Sequence, residues 1–124
     1  MGAVTNAVRV VRLDEVERTE LPRASWSSMV LTEANCPGAK GSLGYSVFRP
    51  GTATAMVSHV VEELAFVVQG RGELQLEEGT CQYAAGQALY IPANTWHAVA
   101  NTGDQDLIMV FTFPHPDYPP TERR

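Results

Sequence analysis

Two imidazoles and a carboxylate stand in this chain at spacings that suit neighbouring strands. His59 and Glu63 stand in the run Ser58-His59-Val60-Val61-Glu62-Glu63, and His97 follows Gly70 by 27 residues. Imidazole nitrogen and carboxylate oxygen are donors for divalent transition metals, and a set of three leaves coordination positions open. Two residues before His59, where a further histidine would share its strand face, stands Val57, whose side chain has nothing to donate. The chemistry implied is one metal held from a few directions with an apolar wall beside it.

The elements that must position these groups are short strands. The chain has 124 residues and 44% hydrophobic content, enough for one compact domain spanning 1–124 and too little for two. Its 10 glycines and 8 prolines are spread along the sequence, which reads as frequent turns and not as a linker. Strands are expected at Gly44 to Phe48, Ala53 to Val60, Leu64 to Val68, Glu73 to Leu76, Cys81 to Tyr83, Ala88 to Ile91, His97 to Asn101 and Leu107 to Phe113. Tight-turn signals join several of them, notably Glu78-Gly79 and Gly103-Asp104. So many antiparallel strands in this length imply an all-β sandwich or small barrel.

The core of this pattern runs from about 43 to 113. Before it, an arm over 1–42 carries Val8, Val10, Val11 and Leu13, read as an opening strand for a sheet edge, then an acidic stretch suited to a helical turn near residues 13 to 18. A further strand is expected over residues 26 to 32. After the core, the proline-rich tail over 114–124 reads as an extended surface strap, and it places His115 outside the chemistry.

Composition narrows the function classes. Net charge is −5, and the single lysine, Lys40, and eight dispersed arginines form no basic patch, so no nucleic acid is expected as a partner. Apolar runs such as Leu64 to Val68 are far shorter than a bilayer span, and no membrane association is expected. A soluble cytoplasmic protein is the expectation, with Cys36 and Cys81 as free thiols.

Period-two geometry puts Val57 and His59 on one face, Glu63, Ala65 and Val67 on another strand's common face, and His97 with Val99 beyond the bend Pro92-Ala93-Asn94. At this point the residues resemble the cupin superfamily, over about Gly44 to Phe113. The first cupin motif is glycine, five residues, His-x-His, three or four residues, glutamate, six residues, glycine. The matching string is Gly51, Val57-Ser58-His59, Glu63 and Gly70, lacking only the first histidine. The second motif corresponds to Gly86, Pro92-Ala93-Asn94, His97 and Asn101, with Asn94 in place of a glycine. Asparagine tolerates a left-handed backbone best after glycine, so the turn survives the change.

The resemblance implies a cupin-type β-barrel, that is, a double-stranded β-helix or jelly roll, and a metal site reduced to His59, Glu63 and His97. Two histidines and one carboxylate suit non-heme Fe(II), and the same set accepts Mn, Ni, Co or Zn. The bland alternatives are a hydrogen-bonded core histidine for His59, a solvated carboxylate for Glu63 and a loop-end histidine for His97. Spacing favours the ligand reading for all three and makes Glu62 the solvated neighbour. Around the site, Tyr45, Val57, Phe66, Tyr90, Trp96 and Phe111 are expected to line a small-molecule pocket.

Three functions compete on these residues. The first is a metal-dependent enzyme on a small oxygen-bearing substrate, with Fe(II) dioxygenase chemistry if the metal is iron. The second is a Lewis-acid isomerase, cyclase or lyase if it is Zn, Mn or Ni, with Tyr45, Tyr90 or Glu62 loosely available as a base. The third is a non-catalytic metabolite-binding or regulatory module, since this fold hosts many functions. A homodimer is expected from the resemblance and from the need to cover sheet edges.

Overall fold

Short β-rich runs separated by turn formers give short strands, and each has one face to bury. The computed structural model describes residues 7–124. Among the described residues eleven strands are present: β1 (Thr19–Glu20), β2 (Trp26–Leu31), β3 (Ser42–Phe48), β4 (Val57–His59), β5 (Glu63–Gln69), β6 (Arg71–Leu76), β7 (Gly79–Ala84), β8 (Ala88–Ile91), β9 (His97–Asn101), β10 (Leu107–Phe113) and β11 (Thr121–Arg123). They form two antiparallel sheets, ordered β1-β2-β3-β10-β5-β8 and β11-β4-β9-β6-β7. The sheets face each other as a jelly roll, and the expected all-β architecture holds. Phe48, Val67, Leu74, Tyr83, Leu107 and Met109 fill the space between them.

Alternation decides which residues reach that interior. In β5, Ala65 and Val67 point inward while Leu64, Phe66 and Val68 stay about half exposed on the outer face. β10 lies between β3 and β5, and Phe111 packs against the backbone of its cross-strand partner Gly44, where a β-carbon would collide with the ring. Glycine at 44 therefore lets an aromatic ring lie across the sheet and reach the interior.

Two turns carry the site. Asn94 adopts φ 61°, the left-handed conformation expected for it, and its N–H donates to the carbonyl of His59 at 2.7 Å. The β8–β9 turn is thereby tied to the end of β4. Asn101 closes the other end of β9, its side-chain amide donating to the carbonyls of Phe48 at 2.8 Å and Gln105 at 2.9 Å.

The flanks depart from expectation. Residues 7–12 form no strand, and Val8 and Val10 are 92% and 90% exposed; residues 1–6 of the arm lie outside the described residues. A 3-10 turn over Leu13–Glu15 follows, and Arg12 pairs with Asp14 there, so local ion pairing takes the place of an edge ladder. Of the described residues of the arm before β2, only Thr19–Glu20 joins the sheet, beside β2. The expected strand from Ala53 to Val60 shrinks to Val57–His59, because the Thr54 hydroxyl takes the Val99 N–H at 2.9 Å and interrupts the ladder. The tail runs as a strap through Pro116, whose carbonyl accepts from Glu33 N–H, and then ends as β11 paired with β4. Cys36 and Cys81 are free thiols, and no helix among the described residues is long and apolar enough to cross a membrane.

Candidate metal centre

β4, the start of β5 and the start of β9 bring His59, Glu63 and His97 together. Val57 pairs with His97 across β4 and β9, and Glu63 opens β5 after the tight turn that follows His59. One ligand-type atom from each of the three lies within 4.8 Å of the others. Glu63 Oε1 is 3.3 Å from His59 Nε2 and 3.5 Å from His97 Nε2. Both imidazoles are buried, and Glu63 is nearly so.

The positions of the imidazole protons follow from their outer partners. His97 Nδ1 is 2.8 Å from the carbonyl of Thr95, which only accepts, so Nδ1 carries the proton. His59 Nδ1 is 2.8 Å from the Thr121 hydroxyl, whose own proton goes to the Pro119 carbonyl at 2.8 Å. The hydroxyl therefore accepts from His59, and its Nδ1 is protonated too. Each neutral ring then turns an Nε2 lone pair toward a carboxylate oxygen. Three acceptors converging in a buried place repel one another unless a cation lies among them, which is the donor set a divalent metal takes. These residues fit a metal.

Protons are the other cation available to the cluster. Burial alone would raise the Glu63 pKa, but hydrogen bonds and charge from His59 and His97 outweigh it and hold the carboxyl below its ordinary value. Burial would lower the His97 pKa, and its contacts with Glu63 and the Thr95 carbonyl raise it instead. Tyr83 sits deeper in the core with no hydrogen-bond partner for its hydroxyl, and burial, then the charges of Glu63 and Glu73, push its pKa well up. It stays a neutral phenol.

The cluster opens onto a cavity of about 310 Å³ between the sheets. Its walls are mostly apolar, with Leu74, Leu89, Val99, Met109 and Phe111 among them, and Ser27, Ser46 and Thr54 supply scattered hydroxyls. Phe113 and Tyr118 stand edge-on to the His59 ring, with centroids 5.0 and 5.5 Å away.

Of the six residues expected to line the pocket, Val57 and Phe111 do so. The other four are corrections, and parity explains the three that lie on strands. Tyr45 has the opposite parity to inward Ser46 and packs against Trp26 on the outer side of the sheet, ring centroids 5.9 Å apart. Phe66 alternates with inward Ala65 and Val67, and Tyr90 pairs with outward Leu64; both are exposed. Trp96 precedes inward His97, and the Arg124 guanidinium lies 4.0 Å from its ring centroid. His115 bonds only within the tail, to the backbone of Asp117.

Sequence reasoning missed three residues of the tail, namely Tyr118 and Arg123, which line the cavity, and Thr121, which bonds His59 Nδ1. The alternation of Thr121 and Arg123 about Glu122 is the one signal they carry, and it is too short to register a strand.

Residues 44–113 match the family model described as a cupin domain. The chain belongs to the cupin family. Over 104 residues this cupin is 34% identical to the polyketide synthase CurC of Streptomyces cyaneus, covering 83% of this chain and 67% of that protein. Over 66 residues it is 33% identical to a 5-nitrosalicylic acid 1,2-dioxygenase of Bradyrhizobium sp, covering 53% of this chain and 32% of that protein. Among solved structures it is similar to the polyketide cyclase RemF of Streptomyces resistomycificus, with a TM-score of 0.77 at 18% identity, covering 94% of this chain and 85% of that one. The last likeness is one of fold.

Proposed function

We propose that this cupin holds one divalent metal through His59, Glu63 and His97 and catalyses a cyclising carbonyl reaction on a small, mainly apolar substrate bearing several keto oxygens. The observation that carries the reading is the pair of Nε2 lone pairs aimed at one carboxylate oxygen beside an apolar cavity. A divalent ion in that place supplies Lewis-acid polarisation of a carbonyl and raises the acidity of the carbon next to it. Val57, with no donor atom, would leave that side of the cluster open to substrate oxygens.

The chain's own residues do the rest. Leu89, Val99, Met109 and Phe111 exclude water and press a flexible chain into a folded shape, which is the entropic part of ring closure. Tyr45 and Tyr90 lie off the cavity, and Glu62 faces the outer groove with Leu64 and Thr112. With these three side chains away from the substrate, the reading suits a carbon that is already acidic, as between two ketones. The identity with CurC supports this class.

The test is metal analysis joined to turnover. Wild-type protein is expected to bind one equivalent of Zn(II), Mn(II), Ni(II), Co(II) or Fe(II), and His59→Ala and His97→Ala to lose it. Loaded protein is expected to close the linear triketone nonane-2,4,8-trione, through the carbon between its two neighbouring ketones, to 2-acetyl-3-methylcyclohex-2-enone, losing one water and taking up no oxygen. Failure of the wild type to bind any of these metals would overturn the reading. A second reading, dioxygenation with Fe(II), rests on the two-histidine, one-carboxylate set and the match to the dioxygenase. Oxygen uptake matching substrate loss, with iron alone active, would replace the first reading by the second.

A further inference from the structure

We infer that Arg123 selects substrates carrying a carboxylate, binding it at the cavity mouth on the open side of the cluster. This deepens the proposed function and rests on the same cavity being the substrate site.

The register of β11 on β4 places the side chain. Thr121 pairs with His59 and Arg123 with Val57, and residues two apart share a face. Thr121 reaches His59 from that face, so Arg123 stands on the same side, opposite the residue that occupies the missing ligand's place. Arg123 lines the cavity, and it is the one cationic side chain of fixed charge that does so among the described residues.

Its neighbours make the position distinctive. Arg124 is engaged elsewhere, bonded to Glu77 at 2.8 Å and laid over Trp96. Arg123 has no ion pair among the described residues, although the chain carries an excess of acidic groups. The titratable groups sharing the cavity lining with it are Tyr118 and the three cluster residues, of which Glu63 faces the histidines. A protein of net charge −5 repels anions, so an anionic substrate needs a local cation to enter an apolar cavity. A guanidinium fork matches a carboxylate through two parallel hydrogen bonds. One end of the substrate would then sit on Arg123 while its keto oxygens reach the cluster past Val57. The ordinary role of an arginine on an edge strand is to keep the edge solvated, and such a residue would show no preference between an acid and its ester.

Isothermal titration with ortho-acetylbenzoate and its methyl ester distinguishes the two. The wild type is expected to bind the acid about tenfold more tightly than the ester, the effect of one charged hydrogen-bonded contact at a partly exposed site. Arg123→Gln should erase that preference while leaving metal content and ester binding unchanged. Arg123→Lys should retain part of it, and Arg124→Gln all of it. Equal binding of acid and ester by the wild type, or no binding of either, overturns the inference. So does an Arg123→Gln variant that weakens both ligands alike or loses its metal, since the residue would then serve only strand pairing. The titration is run on metal-free and zinc-loaded protein, so an acid preference that persists without metal sustains Arg123 even where the metal reading fails.

Discussion

Replacing Thr121 by valine removes one hydroxyl and tests the orientation of His59. That hydroxyl accepts from His59 Nδ1 and donates to the Pro119 carbonyl, both at 2.8 Å. Valine keeps the branched shape that β11 presents to β4, so strand pairing is retained. The buried His59 N–H loses its acceptor, which costs about 1–3 kcal/mol in the folded protein. The ring can avoid that penalty by carrying its proton on Nε2, which removes the lone pair from the cluster. Either way metal affinity should fall by about 10- to 100-fold, the usual consequence of losing a partner that orients a ligand. Competition with a chromophoric chelator measures the affinity, and side-chain nitrogen chemical shifts of metal-free protein report which ring nitrogen holds the proton. Thr121→Ser should restore most of both. An affinity within about twofold of wild type, together with an unmoved proton, would refute the reasoning, because a mere loss of strand stability leaves the tautomer alone.

Other perturbations probe the same frame. Val57→His adds a fourth ligand and should tighten metal binding while lowering turnover, as seen by chelator competition beside a triketone assay; tighter metal with unchanged turnover would show that the open side is not used. In metal-free protein the raised His97 pKa contributes stability that is present below the ordinary histidine value and lost as pH rises through the folded value. The lowered Glu63 pKa contributes stability present above the ordinary carboxylate value and lost as pH falls through the folded one. Denaturant titrations should therefore find the pair's contribution largest between those limits, while metal affinity should rise with pH as His97 gives up its proton. Asn94→Gly should fold as well as wild type, whereas Asn94→Ala should lose about 1 kcal/mol at its left-handed backbone, read from chemical denaturation midpoints.

Much of the frame was legible because strand parity is a rigid rule. His59, Glu63 and His97 converge as their spacing implied, and Asn94 takes the backbone its side chain tolerates. The same rule, applied to the aromatic residues, would have excluded Phe66, since it alternates with Ala65 and Val67. Tyr45 fails for that reason as well, whereas Trp96 lies in the turn before β9, where parity does not reach, and packs under Arg124. What could not be read was the tail. Thr121 lies 62 residues from His59, and nothing local in a proline-rich segment marks which strand will receive it. Val8 and Val10 show the converse, an alternating pattern that forms no strand, because alternation describes a face without supplying a partner for it.

The placement of β11 has a consequence for motion. Three residues on one edge hold both the acceptor that fixes His59 and the arginine at the mouth, and so short a strand can open without the rest of the barrel. Peeling it away would expose the cavity and release the histidine's proton position in one event. A ligand gripping Arg123 would oppose that event by mass action. Amide hydrogen exchange at Thr121, Glu122 and Arg123 is then a local gauge of whether the site is shut.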